Sequence, residues 1–150
     1  MSVRLSHGQA EVVRLACKGH NFLVTGQGGT GKSTVVREII SNLQAAGKKV
    51  SVVCSSGIAC TVYDPGVAST VHSYYGLGIA DLSWEQLVER STKNRAVIER
   101  VKKADVLIWD EASLSSQRML ELVNAIHHRL SEASHFSWRV PPITPSSECL

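Results

Sequence analysis

Apolar positions along this chain follow two periods. Three segments, Asn21–Thr25, Lys49–Cys54 and Asp105–Asp110, hold short apolar runs built on Phe22-Leu23-Val24, Val50 with Val52-Val53, and Val106-Leu107-Ile108-Trp109. Runs of this length, bounded by polar or turn residues, are the pattern of strands covered on both faces. Elsewhere apolar residues recur every three or four positions. Val12, Val13, Leu15 and Ala16 mark one helix. Val35, Val36, Ile39, Ile40 and Leu43 mark a second over Thr34–Ala46, and Met119, Leu120, Leu122, Val123, Ile126 and Leu130 mark the last over Gln117–Leu130. That spacing keeps one helix face out of water.

Caps and breakers set the boundaries. Ser6 with Gln9, and Ser83 with Gln86, have the S-x-x-Q spacing of a capping box and predict helix starts, the second helix running to about Ser91. Gly19 and Gly47 predict helix ends. Ser55-Ser56-Gly57 leads into a short helical stretch, Ile58–Tyr63, halted by Asp64-Pro65-Gly66. Thr70 caps another short helix, closed by Gly76-Leu77-Gly78, and Arg95–Lys103 is amphipathic. Strand, helix and strand from Asn21 to Cys54 form a βαβ unit, which requires a parallel sheet and a right-handed crossover. The expected class is α/β. After Leu130 the chain turns rich in serine and proline; Phe136, Trp138 and Val140 alternate like a short strand, but Pro141-Pro142 removes two ladder donors. Residues 1–130 therefore read as one domain and 131–150 as a loose tail.

Composition narrows the class further. A chain of 150 residues that is 43% hydrophobic suits one globular domain. No apolar run reaches membrane-spanning length, and the N-terminus lacks the apolar core of a secretory signal. The four cysteines show no C-x-x-C spacing, so they read as reduced thiols of an intracellular protein, with Cys54 in a strand. A net charge of +3 permits nucleic-acid contact without demonstrating it.

The chemistry concentrates in Gly26-Gln27-Gly28-Gly29-Thr30-Gly31-Lys32-Ser33, which fits G-x-x-x-x-G-K-[ST]. Backbone N–H groups that turn inward on a phosphate chain need residues without Cβ, and the following helix offers its positive end to the same anion. Lys32 reaches the terminal phosphates, the Ser33 hydroxyl suits Mg²⁺, and Thr34 completes the nucleotide-contacting set. A triphosphatase also needs an acidic residue at the end of another strand. Asp110 can hold Mg²⁺ through a water, and Glu111 can polarise the attacking water. The small residues Ser55, Ser56 and Gly57 either cap a turn or bind a nucleic-acid phosphate. His72, Tyr74 and Tyr75 either pack or form an aromatic patch that stacks on bases. Gln9 either caps its own helix or reads an adenine edge. Trp109 reads as core, and Lys102 and Lys103 as a solvated helix end.

Four segments together resemble the N-terminal motor domain of the Pif-type DNA helicases, superfamily-one 5′-to-3′ translocases related to RecD. They are Leu5-Ser6-His7-Gly8-Gln9, Val24–Ser33, Ser55-Ser56-Gly57-Ile58-Ala59-Cys60 with Thr70-Val71-His72-Ser73, and Leu107–Leu114. The resemblance implies a RecA-like phosphate-loop fold, three-layered α/β/α with a mostly parallel sheet. It implies ATP and Mg²⁺ as cofactors and single-stranded DNA as partner. In it Gln9 contacts adenine, Ser55, Ser56, Gly57, Thr70 and His72 contact DNA, Asp110 serves Mg²⁺, and Lys32 and Glu111 serve catalysis. It also implies work in DNA repair, recombination and telomere maintenance, in nucleus or mitochondrion, with the cytosol open. Cys60 and Trp109 stand where the family usually has alanine and an aliphatic residue. The family continues with a G-D-x-x-Q-L-P-P type motif, where this chain reads Ser137-Trp138-Arg139-Val140-Pro141-Pro142. The expected domain is therefore incomplete, and these residues alone are expected to bind Mg·ATP weakly and not to unwind DNA. A non-catalytic nucleotide-binding module and a small phosphate-loop kinase are the alternatives; the kinase would need lid arginines, and Gly57–Leu82 has none.

Overall fold

The computed structural model describes residues 5–19, 32–78, 81–112 and 115–132. They fall into two compact units that divide after Lys48. The predicted strand at 21–25 and the segment beyond Glu132 lie outside the described residues.

The first unit contains α1 (His7–Cys17) and α2 (Lys32–Ala45), which pack on each other. The capping box forms as predicted: Gln9 N–H donates to Ser6 Oγ at 3.3 Å, and Ser6 N–H donates to Gln9 Oε1 at 2.9 Å. Val12, Val35, Ile39, Ile40 and Leu43 are buried. Two residues past the end of α2 stands Gly47, whose φ of 79° only glycine adopts freely. There Gly47 N–H bonds Gln44 O at 3.0 Å and Lys48 N–H bonds Leu43 O at 2.9 Å, which satisfies the last carbonyls.

The second unit is built on three parallel strands, β1 (Val50–Cys54), β2 (Ala68–Thr70) and β3 (Val106–Asp110), in the order β2-β1-β3. The α/β class with a parallel sheet is thus present. Between β1 and β2 lies the single turn α3 (Gly57–Cys60). Between β2 and β3 run α4 (Val71–Tyr74), α5 (Trp84–Lys93) and α6 (Arg95–Lys103), and α7 (Gln117–Glu132) follows β3. Strand β2 is an addition to the sequence reading; its three residues are a strand because they pair with the edge of β1, from Val52↔Ala68 to Cys54↔Thr70. On the other side Lys49 and Asp105 clasp the start of the ladder. Lys49 N–H donates to Asp105 Oδ2 at 2.8 Å, and Asp105 N–H donates to Lys49 O at 2.8 Å.

Val53 of β1, Val71, Tyr74 and Tyr75 at α4, Val88, Val97 and Val101 of α5 and α6, and Leu122, Val123, Ile126 and Leu130 of α7 make one core. Of the two alternatives at His72, Tyr74 and Tyr75, the tyrosines take the packed one. Both tyrosines are buried, Tyr75 at 0% exposure, and only His72 faces water. Their rings cross edge-on at 4.9 Å, and the hydroxyls bond inward, Tyr74 to Ser51 Oγ at 3.1 Å. Among the described residues no buried side-chain nitrogen or oxygen lacks a partner.

Tyr75 Oη and His127 Nε2 meet at 2.6 Å inside this core, and Ser91 Oγ donates to Tyr75 O at 2.7 Å. Burial pushes the His127 imidazole down from 6.5 to about 4 and the Tyr75 phenol up, so both are neutral at pH 7. The unfolded chain then binds the extra proton first, and the associated stability is present above pH 6.5 and lost as pH falls toward 4. That difference is worth about 3 kcal/mol. Urea unfolding of wild type and His127→Gln, measured between those pH values, is expected to give a shallower pH dependence for the variant. Parallel profiles would refute the assignment.

Candidate active site

In the first unit, Gln9 sits in the opening turn of α1 with its amide oxygen engaged on Ser6 N–H. The capping reading is therefore realised, and the amide nitrogen is the part left to the second reading. Lys32 and Ser33 are the first two residues of α2, and Thr34 is half-buried in the same turn. A helix of 14 residues that begins at the lysine presents its free N–H groups and positive dipole end there. Gly26, Gly28, Gly29, Thr30 and Gly31 lie outside the described residues.

In the second unit, parallel pairing brings the carboxyl ends of three strands to one edge. Cys54 pairs with Thr70 on one side and with Asp110 on the other. Residues directly after Cys54 and Asp110 must therefore meet, and they do. Ser55 Oγ donates to Glu111 O at 2.7 Å, and Ser56 Oγ lies 3.4 Å from Glu111 Oε2. The same Ser56 hydroxyl accepts Ala59 N–H at 3.3 Å and caps α3. The sheet edge thus joins Ser55, Ser56, Asp110 and Glu111, as expected of ligand sites in parallel sheets.

Glu111 is held in an uncommon backbone state. Its φ is 56°, the left-handed region that costs a non-glycine residue roughly 1–3 kcal/mol. Bonds on both sides hold it there: its N–H donates to Asp110 Oδ1 at 2.9 Å, and its carbonyl accepts the Ser55 hydroxyl. Ser55 is itself fixed by Trp109 Nε1 at 3.2 Å and Ser115 Oγ at 2.7 Å. Its hydroxyl is spent on the acidic loop. Trp109, read from sequence as core, packs against the core and also supplies this donor.

Thr70 ends β2 and caps α4, accepting Ser73 N–H at 3.2 Å, while His72, two residues on, is exposed. Gly57, at the start of α3, is exposed, and Ile58 beside it is 83% exposed. Cys54 is not a nucleophile. Burial, with the neighbouring Cys60 thiol and then the Asp110 and Glu111 charges, pushes its pKa up to about 12.

Tyr63 is the site residue that the sequence did not signal. Its hydroxyl donates to Asp110 Oδ2 at 2.7 Å. Each Asp110 oxygen thus accepts one hydrogen bond and keeps a lone pair, on a half-buried strand end. Hard carboxylate oxygens suit Mg²⁺, which retains waters and takes one or two carboxylates together with substrate phosphates. Among the described residues no three His, Cys, Asp or Glu gather into a cage. A single carboxylate at a strand end fits a cation that is shared with phosphate oxygens.

The PIF1-like helicase family profile matches residues 4–137. The chain is 28% identical to the ATP-dependent DNA helicase Pif1 of Bdellovibrio bacteriovorus over 97% of its own length and 35% of that protein. It is 31% identical to the ATP-dependent DNA helicase PIF1 of Saccharomyces cerevisiae, covering 84% of this chain and 15% of the yeast protein. It therefore spans about a third or less of these relatives. The crystal structure of Pif1 helicase from Candida albicans superposes with a TM-score of 0.77 at 31% identity, over 87% of this chain and 30% of that one. A Bacteroides Pif1 bound to single-stranded DNA superposes at 0.66 with 22% identity, over 87% of this chain and 29% of that one, a likeness of fold. The fold is RecA-like, and the chain belongs to the PIF1-like helicase family.

Proposed function

We propose that this chain supplies the ATP-binding and strand-contacting part of a DNA helicase, in which ATP hydrolysis drives movement along single-stranded DNA. The observation that carries the reading is the hydrogen-bonded edge where Ser55 and Ser56 meet Asp110 and Glu111. It puts the segment assigned to the strand against the residues assigned to hydrolysis. Family kinship supports the reading, and so does the strand bound to the Bacteroides relative. On the same kinship the chain belongs to DNA repair, recombination and telomere maintenance, in nucleus or mitochondrion.

Each residue then has a role. The loop Gly26, Gly28, Gly29, Thr30 and Gly31 cradles the phosphates with backbone N–H groups, and Thr34 adds a contact beside them. Lys32 neutralises the terminal phosphates, and Gln9 offers its amide nitrogen to adenine. Ser33 in the first unit and Asp110 in the second are the residues that would serve Mg²⁺, which would offset phosphate charge. Glu111 accepts a proton from the attacking water; its fixed backbone delivers the carboxylate without reorganisation at the moment of reaction. Ser56, Gly57, Thr70 and His72 face the strand. Ser55 joins them through its backbone, because its hydroxyl holds Glu111.

Fluorescent-ATP binding by wild type and Lys32→Ala tests the reading. Wild type is expected to bind in the presence of Mg²⁺, with affinity at least roughly tenfold better than the variant, the loss expected for a charge-assisted contact. Equal binding would leave only a non-catalytic module. The 150 residues alone are expected to release no strand from a fluorescent duplex, because translocation requires two domains that close around each nucleotide.

A further inference from the structure

Tyr63 has a position that its local sequence does not require. It follows α3, the turn that begins at the proposed strand-contacting residues, and its side chain is 8% exposed. Its hydroxyl crosses to Asp110 Oδ2, 47 residues away in sequence, at 2.7 Å. A carboxylate turns easily about its last torsion, a broad two-fold well. Here the Glu111 N–H fixes one oxygen and the Tyr63 hydroxyl fixes the other, so a single rotation is left.

We propose that Tyr63 is a positioning residue for Asp110, orienting its carboxylate to receive the divalent cation that accompanies the nucleotide. This rests on the ATP-binding reading given above. Groups that hydrogen-bond a ligating side chain set its orientation and basicity, and their loss weakens metal binding roughly 10–100-fold. Both ends of the contact lie at the sheet edge that joins Ser55–Ser56 to Glu111. Tyr63 therefore ties the segment assigned to the strand to the residue assigned to the metal.

Tyr63→Phe keeps the ring and removes only the hydroxyl. Binding of a fluorescent ATP analogue is titrated against Mg²⁺. The concentration for half-maximal binding is expected to rise roughly tenfold in the variant. Analogue binding without metal is expected to match wild type. In an Asp110→Asn background, Tyr63→Phe is expected to add nothing. That pair of variants also serves if Tyr63→Phe alone does not fold, since no carboxylate is then left without its donor. An unchanged Mg²⁺ requirement in folded Tyr63→Phe, an equal loss with and without metal, or a further shift in the Asp110→Asn background overturns the proposal. A wild-type chain that binds no analogue at any Mg²⁺ concentration overturns the ATP reading itself.

Discussion

Glu111→Gln is expected to lower ATP turnover by roughly 10²–10⁴-fold while leaving nucleotide affinity near that of wild type. Gln has the same length, and the bonds that hold residue 111 in its left-handed state run through its backbone, to Asp110 Oδ1 and from Ser55 Oγ. The local geometry should therefore survive, and only the proton-accepting carboxylate is lost. Phosphate release and fluorescent-ATP binding, measured side by side with single-stranded DNA present, separate the two effects. Unchanged turnover would remove Glu111 from the role of base. A fall in affinity equal to the fall in turnover would make it a binding group.

Ile126→Ala is expected to cost about 2–5 kcal/mol. Ile126 is 0% exposed and lies in the core that Val53, Tyr75, Val97 and Leu122 also form. Removing its methyl and ethyl groups deletes contacts that neighbouring side chains on a strand and several helices cannot close up to replace. Set against total stabilities of about 5–15 kcal/mol, the loss leaves a marginal fold. Urea unfolding is expected to show a lower midpoint at similar slope. A loss below about 1 kcal/mol would mean that the core collapses around the gap or is looser than its burial indicates.

Local chemistry was legible in the sequence. The caps at Ser6, Ser56, Thr70 and Ser83 act within three residues of themselves, so their spacing suffices to place them. Strands β1 and β3 were visible as apolar runs, and the acidic pair after β3 was visible because charge follows such a run abruptly. Strand β2 was not, since Ala68-Ser69-Thr70 has no pattern of its own and is extended only by pairing with β1. Tyr74 and Tyr75 were ambiguous for a related reason: an aromatic pair stacks or packs according to what covers it, and α7 supplies His127 against Tyr75. Within the site, Asp110 and Glu111 stood out by motif. The hydroxyls that hold them, Ser55 and Tyr63, come from 56 and 47 residues away, a relation that spacing along the chain does not encode.

The clasp between Lys49 and Asp105 constrains how this domain can change over evolution. From it the two strands run step for step, Val50↔Val106 through Cys54↔Asp110, and arrive at the sheet edge together. A single codon gained or lost inside either arm would turn every later side chain to the opposite face, and Asp110 would part from Tyr63. The helical excursion between β2 and β3 carries no such obligation, because it leaves and re-enters the sheet outside both arms. Descendants of this sequence are free to lengthen or trim the turns of that excursion as long as Tyr75, Val88, Val97 and Val101 keep their places in the core, whereas indels in one arm survive only with a matching indel in the other.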